Sequence, residues 1–289
     1  MSFTILEQSP TTVMKNKIED KSAAINNINI FSQYFIHGTK SERNKEIQSA
    51  LRRNLENDDV NKIYLINEKI YTQEELGLGV DNNNLFDKIV QHSIGRRLRF
   101  SDFFNYVKSE NIEGYCVLLN IDIFVDDTIA KLRHSDIATQ PKIFSLLRFE
   151  YREEEDIKSC PLFGEKRFFV EEFYRNNPSR NNNLRKINFD HTSNQVQLPE
   201  DIKNATTVCR PDSWDTWIIH SKQCNNLTDK QIKLFNFELG KLGCDNKIIY
   251  LFKILGYEIY NDPYLIRTYH YHRERAREYS MTERVERPY

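Results

Sequence analysis

Leu118–Thr128 reads LLNIDIFVDDT. An apolar run ends at Asn120, and carboxylates follow at Asp122, Asp126 and Asp127. The longer stretch EGYCVLLNIDIF, Glu113–Phe124, is almost continuously apolar. A central parallel strand, buried on both faces, needs that composition. In open α/β sheets ligands bind beyond the carboxyl ends of the strands, which is where these polar residues fall. Side chains two apart on an extended segment share a side, so Asn120 and Asp122 are expected to face one ligand. Hard divalent cations take oxygen ligands, and a diphosphate supplies more of them. Asp126 or Asp127 is read differently, as the N-cap of a helix starting near Thr128. Asp122 precedes that cap and follows the strand, and is the ligand candidate.

Working outward, strand and helix patterns alternate. INIFSQYFI (Ile28–Ile36) is rich in β-branched and aromatic residues. Ser41 then caps ERNKEIQSALRRNLEN, whose Ile47, Ala50, Leu51 and Leu55 recur at helical spacing. NKIYLINE and DKIVQHSI are further strands, and a helix is expected near RFSDFFNYVKSEN. Such alternation predicts an α/β fold with a mostly parallel sheet flanked by helices. Residues 1–27 are polar and aperiodic and read as a tail. From 151 to 207 the chain carries REEED, RNNPSRNNNLRK and SNQVQLPED, a polar excursion between a first half (28–150) and a second (208–275). In the second half DNKIIYLFKILG reads as a helix stopped by Gly256. Residues 276–289 form a charged C-terminal tail.

Composition excludes several classes. Lys and Arg total 41 against 42 Asp and Glu, a net charge of -1, which argues against a dedicated nucleic-acid binder. The five cysteines, Cys116, Cys160, Cys209, Cys224 and Cys244, form no CxxC pair. They predict neither a structural zinc site nor a disulfide framework, and fit a reducing, cytoplasmic setting. MSFTILEQSPTTVMKNKIEDK lacks the apolar core of a signal peptide, and no run is long enough to span a bilayer.

Four further stretches carry chemistry. In RTYHYH an extended backbone points His270 and His272 one way and Tyr269 and Tyr271 the other. H-x-H is a metal-ligand spacing, and is equally the pattern of a histidine pair near a basic terminus. SWDTW sets Asp215 between the two tryptophans of the chain. Trp217 with Ile219 reads as one buried strand face, and Asp215 as the functional candidate. LGCDNKI opens a helix with Asp245 and Asn246, as a cap or as a carboxylate placed to accept a proton. GRRLRF offers Arg96, Arg97 and Arg99, a phosphate-binding cluster or a solvated face.

The order of these elements, N-x-D, LLRFE, SWDTW, GCDN and TYHYH, resembles nucleotide-sugar-dependent glycosyltransferases of the GT-A fold, especially the small bacterial-type enzymes also found in large DNA viruses. The resemblance covers roughly Asn29 to His272. It implies a single Rossmann-like nucleotide-binding domain, a UDP-sugar donor and a glycan or glycoprotein acceptor. The family's D-x-D metal and diphosphate element matches Asn120, Ile121 and Asp122, with Asn in place of the first Asp. A histidine completing the shell of a divalent ion, Mn2+ or Mg2+, matches His270 or His272. The catalytic carboxylate matches Asp245, with Asp215 as its rival. Gln33, Tyr34, Phe35, Asn67 and Glu68 match the nucleotide-binding positions, and Arg97 and Arg99 are assigned to the donor phosphates. The competing readings are a catalytically inactive nucleotide- or glycan-binding module and a metal-dependent nuclease built on Asp122, Asp245 and His270.

Overall fold

The computed structural model describes residues 24–38, 41–79, 82–154, 156–160, 162–163, 214–273 and 283–288. Its core is a seven-stranded sheet, ordered β3-β2-β1-β4-β8-β6-β9. The strands are β1 (Ile28–Ser32), β2 (Val60–Asn67), β3 (Ile89–Ser93), β4 (Tyr115–Leu119), β6 (Lys142–Leu146), β8 (Thr216–His220) and β9 (Glu258–Tyr260). Every neighbouring pair is parallel except those made by β8, which runs against both β4 and β6. The expected α/β class, with a mostly parallel sheet flanked by helices, is what the chain builds.

All five residues of β4 are buried, and they divide by parity. Tyr115, Val117 and Leu119 pack with Ile47, Leu51 and Leu55 of helix α1 (Ser41–Glu56). Cys116 and Leu118 pack on the other face with Phe103 and Phe104 of α3 (Phe100–Ser109) and Ile248 and Phe252 of α6 (Cys244–Ile254). Between these lie the short helices α2 (Asn83–Phe86), α4 (Ser221–Asn226) and α5 (Asp229–Leu234). Burial at about 25 cal/mol per Å2 of apolar surface on both faces makes this strand the anchor of the sheet.

The structure corrects one expectation here. Glu113–Phe124 is not a single strand. The backbone turns after Leu119, with Ile123 N donating to Asn120 O at 2.9 Å. The chain then enters a second sheet, ordered β5-β10-β7, of β5 (Ile123–Val125), β10 (Thr268–His270) and β7 (Phe149–Glu150). Apolar composition continues through the turn because both sheets bury their strands, so periodicity could not mark the break. Helix α1 clamps the small sheet: Asn54 donates to Ile123 O at 2.8 Å and accepts from Val125 N at 3.0 Å.

Most of the polar excursion at 151–207, and most of both tails, lie outside the described residues. Within the C-terminal stretch, Val285 is buried and donates its N–H to Leu242 O at 3.0 Å.

Candidate metal centre

The turn after β4 presents Asp122, and β10 brings the histidines to it. His270 lies opposite Ile123 in the antiparallel β5–β10 pair, and Tyr271 N donates to Asp122 O at 2.9 Å. His270 Nε2 stands 3.2 Å, and His272 Nδ1 3.5 Å, from Asp122 Oδ2. The candidate ligand atoms of Asp122, His270 and His272 all lie within 4.8 Å of one another. Ligands held about 2.1 Å from an octahedral ion stand roughly 3 Å apart, so the contacts to Asp122 fit neighbouring positions of such a shell. One carboxylate and two imidazoles suit Mn2+ in ligand type. Tyr269 and Tyr271 point the other way, as alternation predicts: Tyr269 stacks on Phe124 and donates to Asp126 Oδ2 at 2.9 Å.

Asp122 is buried and does not stand alone. Arg43, in the first turn of α1, donates to its Oδ2, to Glu46 Oε2 at 2.9 Å and to Tyr271 O at 3.1 Å. Burial by itself would raise the Asp122 carboxyl. His270, His272 and Arg43 hold it well below the ordinary carboxylate range instead. His270 is the counterpart. Burial and the nearby Arg148 pull its pKa down, but Asp122 and Glu150 carry it up to about 9. A cation entering here would displace a proton, as metal binding to imidazole generally does.

The polar chain continues past His270. His270 Nδ1 lies 3.2 Å from Glu150 Oε2, and Glu150 Oε1 lies 3.2 Å from Arg148 Nε. Arg148 then donates to Asp215 Oδ2, and Asp215 Oδ1 accepts from Asn120 Nδ2 at 2.8 Å. Asn120 and Asp122 are thus joined through a ring of partners rather than set side by side on a strand. Arg43, Arg148 and Glu150 were not predicted as site residues. LLRFE marked the last two in order only, and nothing in the composition of α1 set Arg43 apart from other helix arginines.

The remaining candidates are placed unevenly. Asp215 sits in the ring with a donor on each oxygen. Trp217 is buried against Phe100, with ring centroids 5.0 Å apart, as expected of a core residue. Asp245 lies in the first turn of α6, but the N-cap is Gly243 at φ 86°. Its Oδ1 accepts from Asn246 N at 3.0 Å. The thiol of Cys244 is pushed up by burial and also feels the charges of Asp245 and Asp215, which sets both carboxylates around one helix start. Arg97 donates to Leu239 O at 3.1 Å, and a Cβ on Gly240 would stand 3.2 Å from Arg97 Nη2 and 3.8 Å from Asn120 Oδ1. The Arg97 guanidinium and the Asn120 amide therefore flank Gly240. Arg96 is paired with Asp102, and Arg99 donates to Asn236 at 2.9 Å.

At the nucleotide-binding positions, Gln33 accepts from Leu98 N at 2.9 Å and Glu68 is exposed beside it. Tyr34 is a correction. Its ring is buried on Tyr71 and its hydroxyl donates to Glu75 O at 2.6 Å. Asn67 is buried and accepts from Tyr34 N at 2.8 Å. Both hold the loop after β1 rather than offer an open face, and Gln33 is buried beside Leu98 as well, which leaves the half-buried Phe35 and the exposed Glu68. Asp126 accepts from Thr128 N at 3.0 Å, the cap that was expected.

No protein-family model matches the chain, and no curated protein matches it in sequence. Among solved structures the chain is similar to GalNAc-T7, crystallised with UDP, GalNAc and Mn2+, at 10% identity and a TM-score of 0.47. The likeness covers 87% of this chain and 44% of that one, so this chain spans less than half the length of its neighbour. No helix among the described residues is long and apolar enough to cross a membrane.

Proposed function

We propose that the chain is a GT-A-type glycosyltransferase that moves a sugar from a nucleoside-diphosphate sugar, a UDP-sugar by family resemblance, to a hydroxyl of a glycan or glycoprotein. The observation that supports this reading is the convergence of Asp122, His270 and His272 just beyond the carboxyl end of β4, where an open α/β sheet binds its ligand. These three residues would hold Mn2+ or Mg2+. A divalent ion there supplies positive charge to the departing diphosphate.

The other roles belong to the chain. Asp245 takes the proton from the acceptor hydroxyl. Asp215 has both oxygens engaged by Asn120 and Arg148, which suits a residue that orients sugar hydroxyls better than a base. Arg97, which donates to Leu239 O and flanks Gly240 together with Asn120, meets the phosphates. Phe35 and Glu68 line the nucleotide side, with Gln33 behind them donating to Glu68 at 3.4 Å.

The test is a panel of nucleotide sugars incubated with Mn2+ or with chelator, scored for release of nucleoside diphosphate. Metal-dependent turnover of one donor is expected. A second reading, an inactive nucleotide- or glycan-binding module, rests on Asn120. This residue replaces a metal-ligating Asp and is committed to Asp215. Donor binding without turnover across the panel would favour it. Nicking of plasmid DNA without donor turnover would favour the nuclease.

A further inference from the structure

Glu150 belongs to neither the candidate ligand set nor the acceptor side, yet it is placed between them. It ends β7, which pairs in parallel with β10 so that Glu150 stands opposite His270. Its Oε2 is 3.2 Å from His270 Nδ1, while His270 Nε2 is turned to Asp122 at 3.2 Å. An ionised carboxylate only accepts hydrogen bonds, so Nδ1 must carry a proton. Nε2 faces the second carboxylate, Asp122, and is the nitrogen whose proton an arriving cation would displace. Arg148 holds the other Glu150 oxygen at 3.2 Å, so the carboxylate cannot swing away without breaking a second contact. His272 differs: among the described residues its ionic contact is with Asp122 itself.

We propose that Glu150 is the positioning residue of the metal centre, fixing the tautomer and ring orientation of His270 so that Nε2 is presented as the ligand. This rests on the reading of Asp122, His270 and His272 as a metal site. Carboxylate partners of metal-bound histidines are worth roughly 10–100-fold in metal affinity. That is the size of effect expected of Glu150.

The experiment is Mn2+ titration of the full chain without nucleotide, followed by the electron paramagnetic resonance signal of the free ion, for wild type, Glu150→Ala, Glu150→Gln, His270→Ala and the Glu150→Ala/His270→Ala double variant. Melting in chelator reports any purely structural loss. Glu150→Ala should weaken Mn2+ binding about 10–100-fold. Glu150→Gln, which keeps an acceptor oxygen for Nδ1–H, should recover part of that loss. The double variant should bind no more weakly than His270→Ala, because the carboxylate acts only through that ring. Mn2+ affinity in Glu150→Ala within twofold of wild type, or additive losses in the double variant, would overturn the inference and leave the metal site standing. Wild-type protein that takes up no Mn2+ would overturn the metal site and this inference together.

Discussion

The side-chain amide of Asn120 donates to the carboxylate of Asp215 at 2.8 Å, across 95 residues of sequence. The pair joins the carboxyl end of β4 to the start of β8, and it gives the Asn of N-x-D a structural reason. An Asp at 120 would set a second carboxylate against Asp215. One member of such a pair must take up a proton. Asn120→Asp is therefore expected to melt below Asn120→Ala at pH 7.5 in chelator, with the gap closing near pH 5 as the pair shares a proton. Asn120→Ala itself should cost about 1–3 kcal/mol, the range for losing a part-buried hydrogen bond to a charged group. Equal melting of the two variants at both pH values would show that the carboxylates are not in contact.

Metal and nucleotide should stabilise the fold together. At a hundredfold excess over Kd a ligand of the native state adds about 2.7 kcal/mol. UDP is expected to raise the melting temperature more with Mn2+ than with chelator, and Asp122→Ala to abolish the difference. His270→Ala should remove more of it than His272→Ala, since His270 is held by both Asp122 and Glu150. Identical shifts with metal and with chelator would count against the site.

Asp245 can be tested cleanly because Gly243, not Asp245, caps α6. Asp245→Asn should change stability by less than about 1 kcal/mol, the most that a first-turn charge normally gives through the helix dipole. Donor affinity should stay while transfer falls roughly 10²–10⁴-fold. Full transfer by this variant would pass the base role to Asp215.

Asp262 gives a pH prediction remote from the site. It is buried, with Oδ1 accepting from Leu265 N at 3.3 Å. Burial lifts its pKa from 3.8 to about 6, against the pull of that bond and of Lys131. The folded state thus holds the proton more tightly than the unfolded chain. Ionised Asp262 costs stability above about pH 6, and the cost is relieved as pH falls from 6 towards 4. Two units correspond to about 3 kcal/mol. Asp262→Asn keeps an acceptor for Leu265 N and should raise stability at pH 7.5 by up to that amount, with no gain near pH 4. Urea unfolding at the two pH values checks it. A variant no more stable than wild type at pH 7.5 would show that the carboxylate is solvated.

The sequence made the sheet legible because burial on both faces leaves its mark on composition: INIFS, IYLIN and YCVLL are apolar whatever surrounds them. It also exposed Asp122 and the H-x-H pair, whose alternation needs only local extended backbone. The turn at Asn120 was hidden, since β5 is as apolar as β4. The partners of the site were hidden for another reason. Arg43, Glu46, Arg148 and Glu150 are ordinary charged residues locally. Only tertiary pairing buries the first three and half-buries Glu150, and a single sequence carries no trace of pairs so far apart. Tyr34 shows the reverse error: a position taken for ligand contact is filled by a ring that the packing needs.

Arg43 donates to the carbonyl of Tyr271, 228 residues further on, and Glu46 accepts from the N–H of Arg273, 227 residues further on. This sets a timetable for synthesis. Helix α1, the turn at Asp122 and the Arg148–Glu150 strand all leave the ribosome long before β10. A domain that folds as it emerges must hold Asp122 and Glu150 without their histidine partners until the last strand arrives. The late strand is thus a quality check on the whole chain. A nascent protein stalled before Thr268 has all seven strands of its main sheet, but Asp122 and Glu150 lack the histidine that joins them.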